Sequence, residues 1–445
     1  MATNTNYLAE YDAAPEDQKY PLVQKWMKTE PLPFFKQLRN ERPILVTPEC
    51  TLISHFTDIR DVLQMPKIFT VDLYKPKMGV TETEVGYLMA HDDDALHYRE
   101  KSIMQGFLNR DDLPRVRKLI QDEGKKLLDD ANGKIEIVGQ YCRMVPAILV
   151  QEYFGLDGVD KADLIEWSFW SQYNTFHNQP FDLNPPELNK KIEENHAKSS
   201  EKLKKYLEKL IVKKLVLVNL EKPKNFIVSA WHTIKGIFGK KEKVELKDDM
   251  LTRMLRTHFA PEVEFPLDRL GANAGGLLIG SIETTSQAVA QTIEYFLQRP
   301  ELLAKLKQLA QDSDLGKFDG YVWEALRFVP ISPYMFRQTS QDYTVALGTD
   351  RETTIKKGTN VLTLTQSAMF DEYSYENAEE FIGERNWYHH FNFGFASHEC
   401  LGKYVGMVMI PEMVRQVVLR TNIHDLGPIN YKNGPFPEEY NLAWN

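Results

Sequence analysis

The stretch Leu267–Leu297, LDRLGANAGGLLIGSIETTSQAVAQTIEYFL, reads as one unbroken helix and constrains the chain more than any other feature. Glycines fall inside it, among them Gly275, Gly276 and Gly280, each costing about 1 kcal/mol relative to alanine. Gly276, Gly280 and Thr284 sit at i, i+4 and i+8 and so share one face. A face lined by glycine lets something large and flat press against the helix backbone. Beside it stand an acid and a hydroxyl, Glu283 and Thr284, the parts of a proton relay. The same residues also suit close helix–helix packing, with threonines bonding back to the i−4 carbonyl.

The rest of the chain sets the scale. At 445 residues, a prior of roughly 150 residues per domain gives about three domains. No Pro/Gly/Ser linker divides the sequence, so one large domain spanning 1–445 is expected. A composition of 42% hydrophobic and 26% charged residues excludes a disordered chain or a fibrous repeat. Three cysteines, Cys50, Cys142 and Cys400, cannot build a disulfide framework and favour a reducing compartment. The N-terminus lacks the basic start and apolar core of a signal peptide, and no run reaches the roughly 18 apolar residues of a membrane span. A soluble, cytoplasmic protein is expected. A net charge of −9 argues against nucleic-acid binding. Between 202 and 243, however, 12 lysines face only three acids. That segment reads as a solvated helix pair or as a basic amphipathic lid making peripheral membrane contact or meeting an anionic substrate.

Helical periodicity recurs near 110–130, 137–155, 185–218 and 301–312. Strands are expected within a β-rich N-terminal part at about 35–70, where ILVTP and CTLISH follow the short helix PLPFFKQLRNERP. Strand signals return near 342–362 and in the tail. The fold class is therefore mainly α with minor β.

Two further motifs carry chemistry. In Phe393-Gly-Phe-Ala-Ser-His-Glu-Cys400-Leu-Gly402, a lone cysteine stands between glycines ahead of a helical pattern. Unpaired N–H groups and the helix dipole there favour a thiolate. It could be a nucleophile served by His398, a zinc ligand with His389, His390 and His398, an axial haem ligand, or a buried structural cysteine. Glu324 and Arg327 form an i, i+3 pair on a helix, by itself a common surface arrangement.

In this order and at these distances, the three patterns resemble the cytochrome P450 family of haem-thiolate oxygenases. The family's cysteine loop runs Phe-Gly-x-Gly-x-His/Arg-x-Cys-x-Gly. Its distal helix carries Ala/Gly-Gly-x-Asp/Glu-Thr-Thr/Ser, and its Glu-x-x-Arg helix precedes the cysteine by some 70 residues. The resemblance implies a single large fold with haem b between the long distal helix and the cysteine loop. Cys400 would be the axial iron ligand, with Phe393 packed beside it and Gly280 against the haem. Glu283 and Thr284 would be the acid–alcohol pair that delivers protons to bound dioxygen. Glu324, Arg327 and Arg385 would form a buried structural triad. His97, Lys101, Arg337 and His398 would meet the haem propionates. The pocket would be walled by the loop near 75–90, the lid at about 165–245 and the residues before Arg337, with Tyr334 and Met335 touching substrate.

The chain departs from the family pattern at several positions: Ala396 replaces the loop's second glycine, Ser281 a usual glycine, and Lys101 the commoner arginine. Pro411 is expected to interrupt and kink the helix after the cysteine. Gly383 and Glu384 stand where a proline usually precedes the third triad residue. The implied activity is insertion of one oxygen atom from dioxygen into a hydrophobic substrate such as a lipid, fatty acid, terpenoid or steroid. Electrons would come from a separate ferredoxin or flavodoxin. The alternatives are a reductase-independent peroxygenase, a lipid-hydroperoxide isomerase or a non-catalytic haem-binding sensor.

Overall fold

A computed structural model describes residues 6–220, 246–386 and 390–445. The basic segment from 221 onward, and His389, lie outside the described residues. The long helix runs Leu267–Leu297, as its pattern predicts. It is buried on nearly every side, and a helix apolar all round belongs in the centre of a large protein. Against it pack the helix Lys161–Phe176, the lid helix Pro186–Leu220, and the helices Gly316–Phe328 and Lys403–Val418. Helix starts follow local chemistry: Asp94, Asp160 and Asp249 each accept a hydrogen bond from a backbone N–H of the first turn that they cap.

A second core lies under the N-terminal helices Tyr7–Ala13, Glu16–Thr29 and Pro31–Glu41. Here a five-stranded sheet has the order Ile44–Val46, Thr51–Ile53, Asn360–Thr363, Met335–Thr339, Phe69–Thr70. Thr51–Ile53 pairs in parallel with Asn360–Thr363, so strands from the two ends of the sequence form one sheet. The expected β-rich part at 35–70 thus holds three short strands, with the helix Phe56–Leu63 between the second and third.

Two expectations change. The region 137–155 is a short α-helix, Met144–Leu149, flanked by wider i→i+5 turns at Val138–Cys142 and Val150–Phe154. Pro411 does not interrupt its helix, which runs through it from Lys403 to Val418. Among the described residues, no helix is long and apolar enough to cross a membrane. In the described part of the basic segment, Lys202, Lys204, Lys205 and Lys214 face Glu166, Glu84, Glu201 and Asp249.

Candidate active site

The loop 393–402 folds back on itself, the Cys400 N–H donating to the Phe393 carbonyl at 2.7 Å. The Phe393 ring lies against Gly406 in the following helix, where a Cβ would stand 3.0 Å from it. Gly394 (φ +76°) and Ala396 (φ +56°) both hold left-handed backbone. For alanine that conformation costs about 1–2 kcal/mol, part of which is balanced because glycine loosens the unfolded chain. Ala396→Gly is therefore expected to raise the denaturant midpoint slightly, by no more than about 1 kcal/mol of stability. A lower midpoint would show that the methyl group makes a favourable contact.

Cys400 lines a cavity of about 1060 Å³, to which it is exposed. Burial pushes its thiol up, opposed by the Gly402 backbone N–H and the cations Lys101 and Lys403. The cavity is also lined by Phe393, Gly280, Thr284, Met335, Arg337 and His398. The Thr284 hydroxyl donates to the Gly280 carbonyl at 2.7 Å, and the Gln172 side chain donates to the neighbouring Ile279 carbonyl, also at 2.7 Å.

Away from the cavity, Glu324 accepts from Arg327 at 2.7 and 3.0 Å, from Arg385 at 3.0 Å and from the Ile382 N–H at 3.0 Å. Arg327 is fully buried, and its remaining N–H groups meet the carbonyls of Met369, Ala378 and Glu380. The triad ties the helix Gly316–Phe328 to the segment that leads into the cysteine loop.

The Cytochrome P450 family model matches residues 44–425, most of the chain. The chain belongs to the cytochrome P450 family. It is an oxidoreductase of the monooxygenase kind. It is 23% identical to Cytochrome P450 109 of Bacillus spizizenii across 84% of this chain and 80% of that protein. A steroid C26-monooxygenase of Mycolicibacterium smegmatis is 29% identical over 36% of this chain and 39% of that protein. The testosterone complex of CYP109E1 from Bacillus megaterium shares the fold, with a TM-score of 0.68, 18% identity and coverage of 94% and 98% of the two chains. This P450 therefore calls for the family's haem-thiolate cofactor and an external source of electrons.

The residues present fit such a group. Arg337 is 4% exposed, yet its bonds go to the Phe336 carbonyl and the Tyr74 hydroxyl, with no carboxylate within ion-pair distance among the described residues. The buried His398 Nε2 stands 3.6 Å from the Asp92 carboxylate. A buried guanidinium with no carboxylate at ion-pair distance among the described residues, beside a cavity, suits the carboxylates of a haem.

Several predicted residues take other places. His97 and Lys101 are not in the cavity wall: both bond to the Ser397 carbonyl, and Lys101 also bonds to the Glu399 carbonyl at 2.8 Å, bracing the cysteine loop from behind. Glu283 is also absent from the wall. It turns behind the helix to Arg143, whose Nε lies 2.9 Å from its Oε1, and burial pushes it up to about 7 despite that ion pair. Tyr334 points away toward Phe181, in the second core, whereas Met335 does face the cavity. His398 forms no hydrogen bond to Cys400, and its ring lies 4.9 Å from that of His97, tilted by 52°, so it is not placed as a base for the thiol. Among the described residues, no three His, Cys, Asp or Glu side chains converge as a metal-ion site, which leaves His390, His398 and Cys400 without a zinc geometry. At Gly276, the flat group on the helix is the ring of Tyr87, which would stand 2.1 Å from an added Cβ.

Sequence reasoning missed Arg143, Tyr87 and Asp92. Arg143 had a readable signal, a lone cation inside the apolar run YCRMVPAILV. Tyr87 had none. It is held by a buried network in which Arg269 and Asn273 of the long helix meet Glu100 at 2.6–2.7 Å, while Arg269 also reaches the Gly86 carbonyl.

Proposed function

We propose that this P450 binds haem b with Cys400 as its thiolate ligand and inserts one atom of dioxygen into a hydrophobic guest. The observation that carries this reading is that Cys400, Thr284 and Arg337 all line one largely apolar cavity. The thiolate-ligated haem supplies dioxygen activation when bound. The protein supplies the rest. Arg337 and His398 anchor the propionates, and His97 and Lys101 stiffen the loop that presents the sulfur. The Gly402 N–H bonds the sulfur and tunes it. Thr284, whose hydroxyl here donates to the Gly280 carbonyl, would offer that hydroxyl as the proton donor at the cavity. Glu283, a carboxyl that holds its proton up to about pH 7, resupplies Thr284 from behind the helix.

Electrons come from a ferredoxin or flavodoxin, and we place the protein in the cytoplasm as one domain over 1–445. Steroid- and terpenoid-like guests are supported by the relatives named for steroid oxidation and for pentalenic acid synthesis. The retained Glu283–Thr284 pair favours this reading over a peroxygenase, a lipid-hydroperoxide isomerase or a haem sensor, none of which needs protons delivered to dioxygen.

Turnover is expected with a ferredoxin, its reductase, NADPH and oxygen, and not with hydrogen peroxide or a fatty hydroperoxide alone. Rapid reductase-free turnover would reverse the order of the two readings. Because the useful form of Glu283 is protonated, turnover should fall as pH rises through about 7. A Glu283→Gln variant should be slower and lack that inflection. An unchanged pH profile in the variant would remove Glu283 from the relay.

A further inference from the structure

Most of the cavity wall is apolar, and one of the charged groups in it is a lysine with no carboxylate at ion-pair distance among the described residues. Lys77, at the end of the turn Asp72–Lys77, and His196, on the lid helix, both line the cavity. Lys77 is half-buried. Its ammonium donates to the Asn178 carbonyl at 2.7 Å and to the Asn174 side-chain oxygen at 3.3 Å, both neutral. An ammonium carries three N–H donors, so two such bonds leave one unused. No carboxylate of the described residues lies within ion-pair distance, although Glu193 and Asp182 are near enough to exert some attraction. The contrast with Lys204, also in the cavity wall, is direct: it is exposed and neutralised by Glu84 at 2.7 Å. Burial lowers Lys77, and burial together with Lys77 pushes His196 down to about 4, so the imidazole is neutral at pH 7. Its ring nitrogens lie 3.4 Å from the Ser200 hydroxyl.

A partly desolvated ammonium with a spare donor, beside a neutral imidazole, favours an anion at the wall of an otherwise greasy chamber. We propose that Lys77 and His196 form the receptor for the substrate's head group and that this enzyme takes amphiphilic carboxylic acids. The carboxylate sits on Lys77 and the hydrocarbon body lies along Leu203, Leu207 and Leu277 toward Cys400. The inference rests on the monooxygenase reading for what happens at the Cys400 end. The head-group site itself is testable without it.

The test is isothermal calorimetry on the haem-loaded enzyme with dodecanoate, methyl dodecanoate and abietate, paired with Soret-shift titrations of the same ligands. An open-chain and a polycyclic acid separate a fatty-acid body from a terpenoid one. Wild type should bind at least one of the acids about tenfold or more tightly than the methyl ester, in line with a charge-assisted bond to a buried group. Lys77→Gln should bring the ratio of dodecanoate to ester affinity close to one, and Lys77→Arg should retain a preference for the acid. If Lys77 serves only to cap the end of the helix Lys161–Phe176, Lys77→Gln lowers stability and leaves the acid-to-ester ratio as it was. That result, or equal affinity for acid and ester in wild type, overturns the proposal. Lys77-dependent binding by calorimetry with no Soret response from any ligand would uphold the head-group site and contradict the monooxygenase reading instead.

Discussion

Glu324→Ala should leave the chain unable to reach a stable native state, with protein recovered as aggregate or with its unfolding transition moved far toward zero denaturant. Glu324 is 1% exposed and, among the described residues, is the one carboxylate shared by Arg327 and Arg385. Removing one partner of a buried ion pair costs about 3–5 kcal/mol, because the charge left behind has no water to solvate it. Here two guanidinium groups are left, together with the Ile382 N–H that also donates to Glu324. Total stability is only about 5–15 kcal/mol, so the loss takes a large share of it. Glu324→Gln keeps the shape and two acceptor lone pairs and should be less damaging. A Glu324→Ala protein whose midpoint falls by less than about 1 kcal/mol would mean that the triad is not a structural keystone.

Cys400→Ser should have the opposite profile: an intact fold and no oxygenation. Cys400 lines the cavity, and its backbone N–H bond to Phe393 is independent of the side chain. Serine preserves the size and the loop, so the denaturant midpoint of the haem-free protein should match wild type within about 0.5 kcal/mol, as for a substitution that disturbs no packing. An alcohol does not ionise as a thiol does and cannot push electron density onto the iron. Substrate oxidation should drop to background. A variant that unfolds would assign Cys400 a packing role, and one that retains turnover would remove it as the iron ligand.

What could be read from the sequence was local. The central helix, the cysteine loop and the Glu324–Arg327 pair are written in consecutive or i, i+3 residues, and the structure places each where its pattern put it. Two placements follow from periodicity that was itself readable. Glu283 and Thr284 are adjacent on a helix, about 100° apart, so with Thr284 in line with Gly280 the acid must turn away, here to Arg143. Side chains alternate along a strand, so Met335 and Arg337 share the cavity face, and Tyr334 joins Phe336 against Phe181. The i, i+4 spacing correctly put His97 and Lys101 on one face, but not the carbonyl of Ser397 that both reach. Long-range partners such as Tyr87 on Gly276, or Asp92 near His398, depend on how distant segments fold together, and no short pattern records them.

The account turns on one atom, the sulfur of Cys400. The most direct measurement is the absorption spectrum of the dithionite-reduced, carbon monoxide-bound protein, recorded for wild type and for Cys400→Ser. The account predicts a strongly red-shifted Soret band in wild type that is lost in the variant. A folded wild-type protein that takes up no haem when haem is supplied in excess, or a red-shifted band that survives the loss of Cys400, would contradict it.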